Sequence, residues 1–275
     1  KGNITRGLGK MHEAVSYFDS ARIYYRRLGN EQQVAISGMQ AGSVMNAMQL
    51  SDKAAKYLRE SLAILEKGQN KPALLFAYQS FANALSGSID GQEDQQARMV
   101  RDTIIQLYLK AEAIAKELGD SYSEGLVLSN LGLNYYLTDE YNEAISVLRK
   151  AIELRDDKGL YNPFLTLGKC YLETGKPNQA RRAFLTSDSL ASQVQGLTNT
   201  AEFYKELALG YEKLGMHAEG NKALFQYVEI RNQYYDENKA AAIADIEERD
   251  QTQQKELQNQ ASQRENERQG TINRN

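Results

Sequence analysis

Apolar side chains recur along most of this chain at three- and four-residue spacings, the period of amphipathic helices, and their arrangement returns at matching offsets. The clearest stretch reads Leu131, Gly132, Tyr135, Tyr141, Ala144, Leu148, Ala151, and the next reads Leu167, Gly168, Tyr171, Gly175, Ala180, Phe184, Ser187. Weaker copies hold Gly42, Met45, Ala54, Leu58 and Ser61 upstream, and Leu207, Ala208, Tyr211, Gly215, Gly220 and Leu224 downstream. A half copy with Gly9, Ala14, Phe18 and Ala21 begins the chain, so the first helix of that unit is expected to be missing or incomplete. The physical demand behind the pattern is close approach. Gly132, Ala144 and Ala151 let helices pack tightly, while Tyr135 and Leu148 fill the space between them.

Proline placement agrees with a chain of helices. Pro72, Pro163 and Pro177 each fall where a helix should begin, the position at which a missing N–H costs nothing. One unit departs from the period, and the sequence assigns its extra residues to a loop, Ser86 to Gln96, that lengthens the turn between its two helices by about ten residues. After Tyr235 the repeat stops and a polar stretch follows to Arg268, free of glycine and proline and rich in Ala, Glu, Gln and Lys. It reads as one extended helix. Ile243, Ile246 and Leu257 fit heptad spacing there, but Asp250, Gln253 and Gln260 occupy the intervening seam positions, so a self-sufficient coiled coil is not supported.

The repeated spacing resembles the tetratricopeptide pattern, a unit of about 34 residues made of two antiparallel helices. That resemblance implies an all-α solenoid, a right-handed superhelix of helix pairs. Residues 1–234 would form the array, with units near 1–30, 35–68, 72–118, 125–158, 161–194 and 201–234. Residues 235–268 would form the polar helix, which could support a homodimer, and 269–275 a tail. Together with Tyr234 to Lys239, Glu247 to Arg249 and Gln253 to Leu257, the pattern is similar to the sensor region of Bacteroidetes-type membrane signalling proteins. In that group the repeats lie outside the inner membrane, and a histidine kinase or a helix-turn-helix regulator follows a membrane span. The resemblance implies a periplasmic sensor or scaffold in signal transduction. The alternative is a free-standing cytoplasmic adaptor or peptide-responsive regulator.

In this family a peptide or partner helix lies on the inner face, which is lined by first helices. Projecting the inward positions onto this chain gives Met39, Ser43, Gln79, Asn83, Ser129, Leu133, Tyr136, Leu165, Lys169, Lys205 and Leu209. Asn83, Ser129, Leu133, Tyr136, Lys169 and Lys205 are the leading groove candidates. A carboxylate clamp needs several converging Lys, Arg and Asn, and only Asn83, Lys169 and Lys205 are of the right type.

Composition narrows the chemistry further. A net charge of −3 over 275 residues gives no general attraction for phosphate backbones, so nucleic acid is not an expected partner. No run of about 18 apolar residues appears, so a membrane link is expected only through segments beyond this sequence. His12 and His217 lack a paired His or Cys at metal spacing, and Asp90, Glu93 and Asp94 do not follow the alternating ligands of a calcium loop. The Gly7-Leu8-Gly9-Lys10 segment lacks the rest of a phosphate loop. Cys170 reads as a small buried hydrophobe, and Tyr135, Tyr141 and Tyr171 as packing residues. Neither a nucleophile with its base nor a metal cluster is evident, so no cofactor is expected and an enzyme is the least supported reading.

Overall fold

The computed structural model describes residues 10–89, 95–192 and 200–233. The polar stretch from 235 onward, the acidic residues at 90–94 and Gly7 to Gly9 lie outside them. The chain divides into two compact units, residues 1–194 and 195–275. The first contains α1 (Met11–Arg27), α2 (Glu31–Ala47), α3 (Ser51–Leu65), α4 (Lys71–Ser88) and α5 (Gln95–Leu118). It continues through α6 (Ser121–Leu137), α7 (Tyr141–Glu153), a 3-10 turn (Lys158–Leu160), α8 (Tyr161–Glu173) and α9 (Pro177–Ala191). In the second, α10 (Thr200–Lys213) is followed by helical residues 217–233.

The first unit is a row of hairpins in which α2 packs on α3, α4 on α5, α6 on α7 and α8 on α9. Second helices also pack on the first helix of the next pair, α3 on α4, α5 on α6 and α7 on α8, so one core runs along the row. First helices touch each other directly at α2–α4 and α6–α8, and among the described residues no two second helices pack as closely. The first helices therefore form the tighter, inner layer.

The repeated glycines show why the pairs close. A Cβ on Gly42 would stand 2.7 Å from Leu58 Cγ, on Gly132 2.5 Å from Leu148 Cγ, and on Gly168 2.4 Å from the Phe184 ring. Leu58, Leu148 and Phe184 are each fully buried. Burying such a side chain contributes roughly 1.5–3 kcal/mol relative to leaving it exposed. Ala54, Ala144 and Ala180, one turn earlier, are also completely buried.

The turns repeat as faithfully as the core. Helix ends close with an N–H reaching back five residues, as in Asn30 to Tyr25, Leu50 to Met45, Asp120 to Ala115, Glu140 to Tyr135 and Lys176 to Tyr171. This closure places the preceding residue at φ between 60° and 70°, supplied by Gly29, Gly119 and Gly175 but also by Gln49 and Asp139. The next first helix is then capped by a side chain: Asn30 accepts from the Gln33 N–H, Asn70 from Ala73 and Asp120 from Ser123. Hydrogen bonds from the Ser123 hydroxyl, and then from its N–H, hold the Asp120 carboxyl below its ordinary pKa.

Two expectations need correction. First helices begin at Glu31, Lys71, Ser121 and Tyr161, so the unit runs longer than the ~34 residues implied by its pattern. The excess lies in helices of up to 24 residues and in connections such as 66–70 and 154–160 between pairs. The insertion at Ser86–Gln96 is also helical at both of its ends. Helix α4 continues to Ser88, and α5 starts at Gln95 and runs for 24 residues. Its extra turns are held because Ala97, Ile104, Ile105, Leu107 and Tyr108 form a continuous buried stripe.

Candidate functional site

The first-helix face of unit 1 brings two of the sequence candidates together. Tyr136 near the end of α6 and Lys169 on α8 are both half-buried, and the Lys169 ammonium lies 4.6 Å from the Tyr136 ring centroid. A cation over an aromatic face gains from the ring quadrupole, and more as water is removed. Tyr141 packs against Tyr136, their ring centroids 5.8 Å apart. Leu133, one turn before Tyr136, is 40% exposed. Cation, aromatic ring and exposed aliphatic side chain thus meet where two first helices touch.

The other candidates have different surroundings. Asn83 on α4 is exposed at the surface, yet its side-chain oxygen accepts a hydrogen bond from the Tyr108 hydroxyl. Burial drives the pKa of that phenol well above its ordinary value. Ser129 faces a joint between pairs: its hydroxyl donates to Gly125 O at 2.8 Å and accepts from Arg155 at 3.1 Å. Met39 and Leu165 are only 5% and 7% exposed, so they belong to the core and not to an open groove. First helices touch their neighbours at α2–α4 and α6–α8, which covers positions on those sides. Lys205 belongs to the second unit, where it is exposed and pairs with Glu202 on its own helix at 3.0 Å.

Sequence spacing missed Arg155, the most constrained charged side chain here. Its stem covers Gly125, whose Cβ would stand 2.6 Å from Arg155 Cγ. Its guanidinium donates to both oxygens of Asp157, at 2.8 and 2.7 Å, and lies 5.5 Å from the Tyr122 ring centroid. Gly125 was the available signal. One helical face of α6 carries Gly125 and Gly132, and each glycine accommodates one large side chain from the segment that follows. A second network joins three helices, with Lys150 of α7 bonded to Glu124 of α6 and near Glu112 of α5, which also holds Lys116. The Glu124 bond is the main reason the Lys150 pKa is raised.

The Arg155 hydrogen bonds, helped by the Gly159 N–H, hold Asp157 below the usual carboxylate range. A carboxylate with a lowered folded-state pKa stabilises the fold above its unfolded pKa of about 4, and loses that contribution as pH falls through the lowered value. The melting temperature of Asp157→Asn is therefore expected to lie below wild type by a constant margin from pH 7 to about pH 5, and the margin should shrink below about pH 4. Scanning calorimetry across that range checks it; a margin that widens on acidification would contradict the assignment.

Cys170 is completely buried, and burial pushes its thiol up to about 12, so it remains protonated at neutral pH. Among the described residues no three His, Cys, Asp or Glu side chains are grouped so as to hold a metal ion. No helix among them is long and apolar enough to cross a membrane.

A family model described as tetratricopeptide repeat matches residues 127–158, which span most of α6, all of α7 and the connection to α8. The chain has the fold of a tetratricopeptide-repeat solenoid. No curated protein matches the chain by sequence. Among solved structures, the apo form of RapI is similar with a TM-score of 0.62 at 16% identity, over 86% of this chain and 96% of that one. BtubC (BKLC) from P. vanneervenii gives 0.61 at 14% identity, over 82% and 92%. The Rap conjugation gene regulator of plasmid pLS20, solved in complex with the Phr* peptide, gives 0.59 at 15% identity, over 87% and 64%. At these identities the likeness is one of fold.

Proposed function

We propose that this tetratricopeptide solenoid is a non-catalytic scaffold that holds a peptide or protein segment against its first-helix face, centred on Tyr136 and Lys169. The observation that carries the proposal is the half-buried ammonium over an aromatic ring beside exposed Leu133. Helix packing alone does not require that arrangement. It suits a carboxylate next to an apolar side chain, the chemistry of an acidic residue or a peptide C-terminus. The Rap regulator solved with the Phr* peptide supports the reading, because it shares the fold over most of this chain. Asn83 and Leu133 extend the surface in unit 1, Lys205 is the matching cation of the second unit, and Ser129 contributes by fixing Arg155.

Selection from a random dodecapeptide library on the purified chain tests this. Peptides that bind wild type are expected to lose about tenfold or more in affinity to Lys169→Glu and to Tyr136→Ala. Equal binding to both variants would remove the site.

For the cellular setting, we propose the sensor region of a membrane signalling protein, supported by the resemblance of the segment after Tyr234. The fold supports a cytoplasmic adaptor equally. Fractionation of native cells with an antibody to the repeats separates them: a membrane band well above 30.9 kDa favours the sensor, and a soluble band near that mass favours the adaptor.

A further inference from the structure

The opposite face of unit 1, formed by second helices, carries a hollow of about 370 Å³ between α7 and α9. Its floor is Phe164, Leu167 and Tyr171 of α8, and Arg149 of α7 and Arg182 of α9 stand on its rims. At 100° per residue those floor positions lie on the side of α8 away from Lys169, so this hollow is separate from the first-helix surface. Neither arginine has a carboxylate partner among the described residues; the nearest bond of Arg182 is a long one to Asn178 O at 3.4 Å. By contrast, Arg22, Lys71, Lys110, Lys116, Lys150 and Arg155 are all in ion pairs. Tyr171 is only 8% exposed, and its hydroxyl has no hydrogen-bond partner among the described residues.

The same construction recurs between α3 and α5. There Lys56 and Arg59, also without ion pairs among the described residues, edge a floor of Leu85, Ile89 and Val100, with one carboxylate, Asp52, beside them. A third hollow, near Arg98 and Arg101, is edged by Asp102, Asp139 and Glu140 and is therefore not of this kind.

We propose that the α7–α9 hollow is a second docking site, which takes an acidic segment of a partner protein bearing a large apolar side chain. The apolar side chain covers Phe164 and Leu167. Carboxylates on either side of it meet Arg149 and Arg182, and the Tyr171 hydroxyl donates to a backbone carbonyl of the segment. Two unpaired guanidinium groups that flank an apolar floor are complementary to this pattern. Phosphate backbones fit less well, because the apolar floor of Phe164 and Leu167 offers them nothing.

The test uses the full 275-residue chain. The probe is a fluorescein-labelled octapeptide of sequence Glu-Asp-Glu-Phe-Glu-Leu-Asp-Glu, read by anisotropy at about 50 mM salt. The expected result, measured in a Lys169→Glu background that removes the first-helix site, is saturable binding that Arg149→Glu/Arg182→Glu weakens by about tenfold or more and that Phe164→Ala also weakens. Circular dichroism checks that each variant folds, and the rim arginines are exposed enough for their replacement to be tolerated. Absence of saturable wild-type binding up to about 1 mM probe overturns the proposal. So does equal binding when both arginines are replaced in that background. Competition by single-stranded oligo-dT as effective as by unlabelled peptide also overturns it, since the face would then be a polyanion surface.

Discussion

Phe184→Ala is expected to lower stability by about 3–5 kcal/mol, the range for deleting a fully buried aromatic side chain. The ring has no exposed surface and rests on Gly168, where no Cβ intervenes. Removing it loses the ring's transfer energy and leaves a cavity between α8 and α9, whose helices cannot close completely. The converse change, Gly168→Ala, drives a methyl to 2.4 Å from the ring and is expected to cost about 1–3 kcal/mol, net of the roughly 1 kcal/mol gained in helix propensity. The two losses should not add. In the Phe184→Ala background the clash is gone, so Gly168→Ala becomes neutral or stabilising. Denaturant titration of both single variants and the double variant reads the coupling directly. Simple additivity would show that the glycine is not there for the ring.

Arg155→Ala is expected to cost about 2–4 kcal/mol, because it removes packing and charge together. The side chain fills the space above Gly125, and its guanidinium satisfies Asp157, Ser129 and the Tyr122 face. The estimate sits below the top of the range for a broken buried pair because Asp157 keeps 29% of its side chain in solvent. Arg155→Lys should recover little, since an ammonium cannot donate in parallel to both Asp157 oxygens. Arg155→Met restores the packing but leaves the carboxylate alone, and should fall between. Thermal melts of the three variants, ordered Met above Ala with Lys close to Ala, check the division between packing and charge. A lysine variant as stable as wild type would show that bidentate geometry does not matter here.

Much of the architecture was legible because it rests on steric requirements. Gly42, Gly132 and Gly168 face Leu58, Leu148 and Phe184, and a small residue opposite a large one at constant spacing records that contact in sequence. The left-handed turn position was legible where glycine fills it, as at Gly175, and hidden at Gln49 and Asp139, where ordinary residues adopt the same backbone. The long α5 was obscured because its first turn is polar and exposed at Gln95 and Gln96, which looks like loop until the buried stripe from Ala97 onward is counted with it.

The candidate site was less legible. Helical projection gives the side of a helix but not what stands opposite. Met39 and Leu165 went into the core, on first helices that touch a neighbour, and Ser129 was drawn to an arginine 26 positions later in the chain. The contact between Tyr136 and Lys169 crosses between units, so no spacing within one repeat encodes it. The outer hollow was invisible for the same reason, since its rims come from α7 and α9 and its floor from α8.

The central claim is that the first-helix face around Tyr136 and Lys169 holds a peptide segment, and hydrogen–deuterium exchange on the full chain with a library-selected peptide tests it most directly. The account predicts slower exchange in the last turns of α6 and around Lys169 in α8 when peptide is bound, with the exposed turns of α7 and α9 unchanged. Protection confined to α7 and α9, or no protection in α6 and α8 at saturating peptide, would contradict it.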